Sequence, residues 1–87
     1  MANELHAPRK RIDAIDRSII SLLAKRISLS KRIGAIKKKV GAAILDAKRE
    51  RQVLRNAQAH AKRLGLSKEY AQGVFALILR NSRKNQR

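Results

Sequence analysis

The sequence predicts an all-α fold of three helices. Three observations support this: apolar residues step by three and four along the first forty positions, capping residues punctuate the chain further on, and no stretch alternates as a strand does. In the first helix the seam runs Ile12, Ile15, Ile19, Leu22, Leu29, Ile33, Ile36 and Val40. Pro8 suits its first turn, where a missing N–H is tolerated, and Gly41 is its expected stop, with Ala42 to Leu45 as connector. A helix of about 32 residues is about 48 Å long, whereas a compact chain of this size has a radius of gyration of about 12 Å. The helix overshoots such a globule, so its seam calls for a second chain.

Asp46 is placed to cap a second helix carrying Val53, Leu54, Ala57, Ala61 and Leu64 on one face. Gly65 ends it in a left-handed C-cap, followed by Leu66. Ser67 then caps a third helix with the stripe Ala71, Val74, Phe75 and Ile78, which Ser82 and Gln86 extend at four-residue steps. One domain over residues 1–87 is expected. Its core is marginal for a lone chain.

Composition narrows the chemistry. There is no cysteine, so thiolate metal sites and disulfides are excluded, and His6 and His60 are too far apart in sequence to form a ligand-spaced pair. No apolar run has the length of a membrane span and no signal-peptide core follows Met1, so a cytoplasmic protein without membrane partners is expected. The 22 Lys and Arg against 6 Asp and Glu give a formal charge of +16. Such a surface attracts polyanions, and equally a small dianion. With Tyr70 and Phe75 as the sole aromatics there is no stacking platform for single-stranded nucleic acid, and charge alone does not choose between these partners.

The candidate site residues are polar groups that interrupt the apolar pattern. Arg26 falls where the seam calls for an apolar residue; it is either a snorkelling side chain or a cation fixed in a pocket. Lys37 returns to nearly the same face about 16 Å further along. Arg9 stands about 25 Å from Arg26, so it can join such a site only from another subunit. Asp46 and Glu50 flank Arg49 at the start of the second helix, where acids favour the helix dipole. Arg49 holds the capping-box position, which leaves the Glu50 carboxylate available to a ligand hydroxyl. Ser82 and Gln86 either mark a fraying terminus or add hydrogen-bonding groups to the site. Gly34, inside the first helix, is either incidental or marks a close approach.

Taken in order, Arg9, IDAID, LLAKR ending at Arg26, IGAIK ending at Lys37, DAKRER and NSRKNQ resemble the helical chorismate mutases over nearly the whole chain. The resemblance implies an intertwined homodimer that rearranges chorismate to prephenate without cofactor or metal. It implies that Arg26 binds a substrate carboxylate and that Arg9 of the partner reaches the carboxylates from the other side. By the same likeness Lys37 contacts the ether oxygen and a carboxylate, and Gln86 donates to that oxygen from the opposite side. Glu50, supported by Asp46, takes the ring hydroxyl, while Arg49 and Ser82 hold the ring carboxylate. Ile33 and Leu79 pack against the substrate. The chain is more basic than the family generally is, and Gln86 stands one residue from its end, where weak anchoring is expected. Isochorismate pyruvate lyase, on the same fold, is the nearest alternative, and a basic dimeric nucleic-acid binder the alternative of another class; given the resemblance, nucleic acid is not expected as the partner despite the net charge.

Overall fold

The computed structural model describes residues 2–87, which form α1 (Ala2–Val40), α2 (Ala47–Arg63) and α3 (Lys68–Gln86), with no strand among the described residues. The chain measures 60 × 24 × 15 Å with a radius of gyration of 16.6 Å, well above the roughly 12 Å of a compact chain of equal length. The long dimension is α1 itself. Among the described residues no helix is long and apolar enough to cross a membrane.

α1 begins earlier than expected. Pro8 lies inside the helix rather than in its first turn. Its ring removes a single backbone bond, the one Glu4 would otherwise accept, and the helix continues through the loss. At the other end Gly41 has φ 73° and Ala42 N–H returns to Lys37 O at 2.8 Å, a left-handed stop of the kind glycine permits. The Asp46 carboxylate accepts Arg49 N–H at 3.0 Å and the Ser67 hydroxyl accepts Tyr70 N–H at 3.2 Å, so both caps sit where their residue types place them. Between them Gly65 has φ 73°, and Leu66 N–H reaches Ala61 O at 2.8 Å. Leu64 is the C-cap residue and is 71% exposed; helical phase ends there, so it leaves the apolar face it was expected to join.

α3 is the middle element. It packs against α1 on one side and α2 on the other, while α1 and α2 do not approach one another. Ala61 of α2 and Ala71 and Leu79 of α3 are buried, Phe75 and Ile78 are half-buried, and Val74 is exposed at the edge of the stripe. The face that α1 turns to α3 is Leu23, Arg26, Ile27, Ser30, Gly34 and Lys37. The apolar seam is a different, neighbouring face: its eight members, from Ile12 to Val40, are each 46–69% exposed. Arg26 and Lys37 fall by helical phase on the border between the two faces. That position explains why Arg26 interrupts the seam.

Gly34 is the point of closest approach. A Cβ built there would stand 2.3 Å from Gln86 O and 2.6 Å from Gln86 Cα, so only a residue without a side chain lets the last turn of α3 lie on α1. Three glycines therefore predict three outcomes for one substitution. Gly73→Ala, in open space on α3, should stabilise by about 0.5–1 kcal/mol through helix propensity. Gly65→Ala should destabilise by about 1–2 kcal/mol because alanine resists the left-handed conformation. Gly34→Ala gains the same propensity of about 1 kcal/mol but overpacks against backbone, which typically costs about 1–3 kcal/mol; a net loss is expected. Denaturant midpoints of the three variants read the signs directly.

Candidate active site

Helical spacing builds the site from all three elements. On α1, Arg26, Ser30, Ile33 and Lys37 recur at steps of four, three and four, and so share one face. On α2, Asp46, Arg49, Glu50 and Val53 present one side of the first two turns, and on α3 Leu79, Ser82 and Gln86 do the same. These residues, with Leu29 and Ile44, line a pocket of about 390 Å³ between the helices.

Seven of the eight polar positions singled out in the sequence therefore meet in one place: Arg26, Lys37, Asp46, Arg49, Glu50, Ser82 and Gln86. The apolar pair Ile33 and Leu79 lies there too. Arg9 does not; it is exposed on the N-terminal half of α1, outside this pocket.

The side chains are held by one another. Arg26 donates from Nη1 to the buried Ser82 hydroxyl, which also meets the buried Ser30 hydroxyl at 3.2 Å. Lys37 donates from Nζ to Ile44 O at 2.6 Å and to Gln86 Oε1 at 2.8 Å. An ammonium has no acceptor, so the Gln86 amide must turn its oxygen to Lys37 and leave its N–H groups free to donate. Gln86 is half-buried within the helix and packed over Gly34, not the weakly anchored terminus its sequence position suggested; the Lys37 bond and the glycine seat hold it. Lys37 and Gln86 are direct neighbours rather than facing each other across an open space.

Both carboxylates of the pocket are already engaged. Asp46 caps α2 through Oδ1, and Glu50 Oε1 takes Arg83 Nη1 at 2.5 Å. Glu50 is not unpaired: one oxygen is held by Arg83, which the sequence reading passed over, and the other has acceptor capacity left. The cations, by contrast, bond neutral acceptors. Arg49 donates to Gln52 Oε1 at 2.9 Å, and Arg26 and Lys37 to hydroxyl, amide and carbonyl oxygens. Burial, and secondarily the nearby Arg49 guanidinium, holds Arg26 below the usual arginine pKa, although an arginine remains charged at neutral pH. Two guanidiniums and an ammonium with no carboxylate partner among the described residues, beside the positive end of α2, give the pocket a concentrated positive charge of the kind that favours an anionic ligand.

Five contributors escaped the sequence reading: Leu29 and Val53, which it placed on apolar faces but not in a site, and Ser30, Ile44 and Arg83. Ser30 was within reach, since it lies four residues beyond Arg26 on the same face. Ile44, Val53 and Arg83 had no signal of their own, because a connector carbonyl, an apolar helix position and one arginine among many acquire meaning only when α2 and α3 are placed.

The chorismate mutase type II family matches residues 8–87. The chain is 29% identical to a chorismate mutase of Methanocaldococcus jannaschii, over its whole length and 88% of that protein. It is 44% identical to a bifunctional chorismate mutase/prephenate dehydratase of Aquifex aeolicus, over 83% of this chain but 18% of that one. It is 33% identical to the T-protein of Enterobacter agglomerans over 94% of this chain, and so spans about a fifth (22%) of that longer relative. A solved structure, a conserved hypothetical protein from Pyrococcus furiosus, superposes with a TM-score of 0.79 at 41% identity, covering 95% of each chain. With the family matched from Pro8 to the last residue and its charged positions gathered in one pocket, this chain belongs to the chorismate mutase type II family.

Proposed function

We propose that this chain is a single cytoplasmic chorismate mutase domain, which converts chorismate to prephenate in aromatic amino-acid biosynthesis. The observation that carries the reading is the pocket charge: Arg26, Lys37 and Arg49 lack carboxylate partners, while the pocket's own acids are bound elsewhere. Chorismate is a compact dianion. Its rearrangement is concerted, with no nucleophile, so the protein contributes by selecting a folded conformer and stabilising charge. Arg26 and Arg49 take the carboxylates, with Ser82 at the ring carboxylate. The ether oxygen, on which negative charge grows, accepts from Lys37 and from the free N–H of Gln86, while Glu50, beside Asp46, accepts the ring hydroxyl. Ile33 and Leu79 shape the apolar floor.

Loss of chorismate absorbance tests the activity, and isochorismate offered in parallel tests the lyase alternative. Lys37→Ala should reduce kcat by about a hundredfold to a thousandfold, the usual effect of losing a donor to charge in the transition state. Lys38→Ala and Lys39→Ala, both exposed and outside the pocket, should be nearly silent. Equal losses at all three would reduce the lysine run to diffuse surface charge.

The working form is an intertwined homodimer. Its support is the seam of α1, whose six aliphatic side chains outside the pocket (Ile12, Ile15, Ile19, Leu22, Ile36 and Val40) are left about half exposed, and a second groove between α1 and α3 whose apolar lining is Leu23, Ile27, Leu77 and Ile78. Burying what remains of each seam residue contributes about 1 kcal/mol, and among the described residues no large side chain of the lone chain is fully buried. Arg9 then enters the partner's pocket. Mixing Arg9→Ala with Arg26→Ala chains should restore activity by giving heterodimers one intact site. A fully active monomer in sedimentation, or no recovery after demonstrated subunit exchange, rejects sharing.

A further inference from the structure

The Arg83–Glu50 contact is the one ion pair among the described residues. Its surroundings make that selective. Glu50 lines a pocket that also holds Arg26, Lys37 and Arg49, any of which a carboxylate would bind. It pairs instead with Arg83 of α3, which does not line the pocket. Both side chains are partly sheltered, at 22% and 30% exposed. The consequence is chemical. A glutamate carboxylate and a substrate carboxylate bind guanidinium by the same bidentate geometry. Glu50 is tethered in the pocket and so competes at a high effective concentration. Left unpaired, it would turn onto the guanidiniums that must stay open.

We propose that Arg83 is a positioning residue that keeps Glu50 off Arg26 and Arg49, so that those guanidiniums remain available to a dianionic substrate. The inference deepens the chorismate mutase reading and rests on it for the identity of that substrate. α3 is suited to the task because it packs against both other helices. Ser82 engages Arg26 on the α1 side, and the next residue, Arg83, engages Glu50 on the α2 side. One turn of α3 thus holds the cation and the carboxylate apart. Of the other acids, Asp46 lines the pocket but is held as the N-cap of α2, and Glu4, Asp13 and Asp16 on α1 and Glu69 at the start of α3 do not line it, so Glu50 is the competitor to be restrained.

The test is a double-mutant cycle read in KM and kcat separately. Arg83→Ala should raise KM for chorismate about tenfold or more, with a smaller change in kcat, and Arg83→Lys should recover much of the loss. In the Glu50→Gln background, where no competing charge remains, Arg83→Ala should leave KM nearly where Glu50→Gln alone put it. A role confined to holding the fold would lower the melting temperature in both backgrounds and raise KM in both; that result overturns the proposal, as does an unchanged KM in Arg83→Ala. Arg83→Gln, which retains a long helix-forming side chain, replaces Arg83→Ala if the latter does not fold. Calorimetric titration of the same four proteins with chorismate and with isophthalate separates the two readings. A parent that binds these dianions without turnover rejects the mutase activity while still testing Arg83, because the same KM pattern should appear in Kd. A parent that binds neither rejects both.

Discussion

The close approach of α1 and α3 at Gly34 is the constraint on which the pocket depends. α1 and α2 do not pack against each other, so apart from the short connector, which Lys37 holds through Ile44 O, the spacing of their pocket residues is set through α3. The backbone of Gln86 lies where a side chain at position 34 would be. That contact fixes the last turn of α3 on α1 and brings the Gln86 amide to Lys37. One turn earlier Ser82 meets Arg26 and Ser30, and Arg83 ties α2 through Glu50. A helix propensity loss of about 1 kcal/mol at a central glycine is offset by a geometry that no larger residue permits.

The second organising fact is how charge is distributed among partners. In a chain with 22 cations and 6 acids most basic side chains face solvent, where screening reduces their mutual repulsion. Inside the pocket screening is weaker, and the arrangement is asymmetric: acids have partners and cations have neutral ones. Arg26 bears the resulting cost as a pKa held below the usual arginine value, through burial and Arg49. An anion bound beside Arg26 and Arg49, as proposed, would offset the repulsion between the two guanidiniums.

Packing and the pocket share α1. The face toward α3 carries Arg26, Ser30 and Lys37 among Leu23, Ile27 and Gly34, where a purely structural helix would place aliphatics throughout. Most of the other apolar residues of α1 lie on the adjoining face, which the lone chain leaves about half exposed. On the proposed function, one face of α1 would serve the pocket and its neighbour the dimer interface, which would make the two adjacent. Under that reading a residue such as Arg9, remote from its own pocket, can serve another.

Much of this was legible in the residues themselves, because helices are local structures. The three–four periodicity, the caps at Asp46 and Ser67 and the glycine stops at positions 41 and 65 depend on near neighbours in sequence. The grouping of Arg26 with Lys37, and of Ser82 with Gln86, followed from helical phase alone. Sequence was less informative where a local preference met a tolerable exception: Pro8 did not mark the start of α1, since one lost backbone bond does not end a long helix. What tertiary structure decided is which helix lies between the others, and hence which of two adjacent faces of α1 is covered. It also decided that Gly34 is a contact rather than an accident, that Gln86 is held, and that Glu50 has Arg83 as its partner. The physical reason is range: propensity and capping act within a turn or two, whereas an ion pair between residues 33 positions apart forms only once packing has brought two helices together.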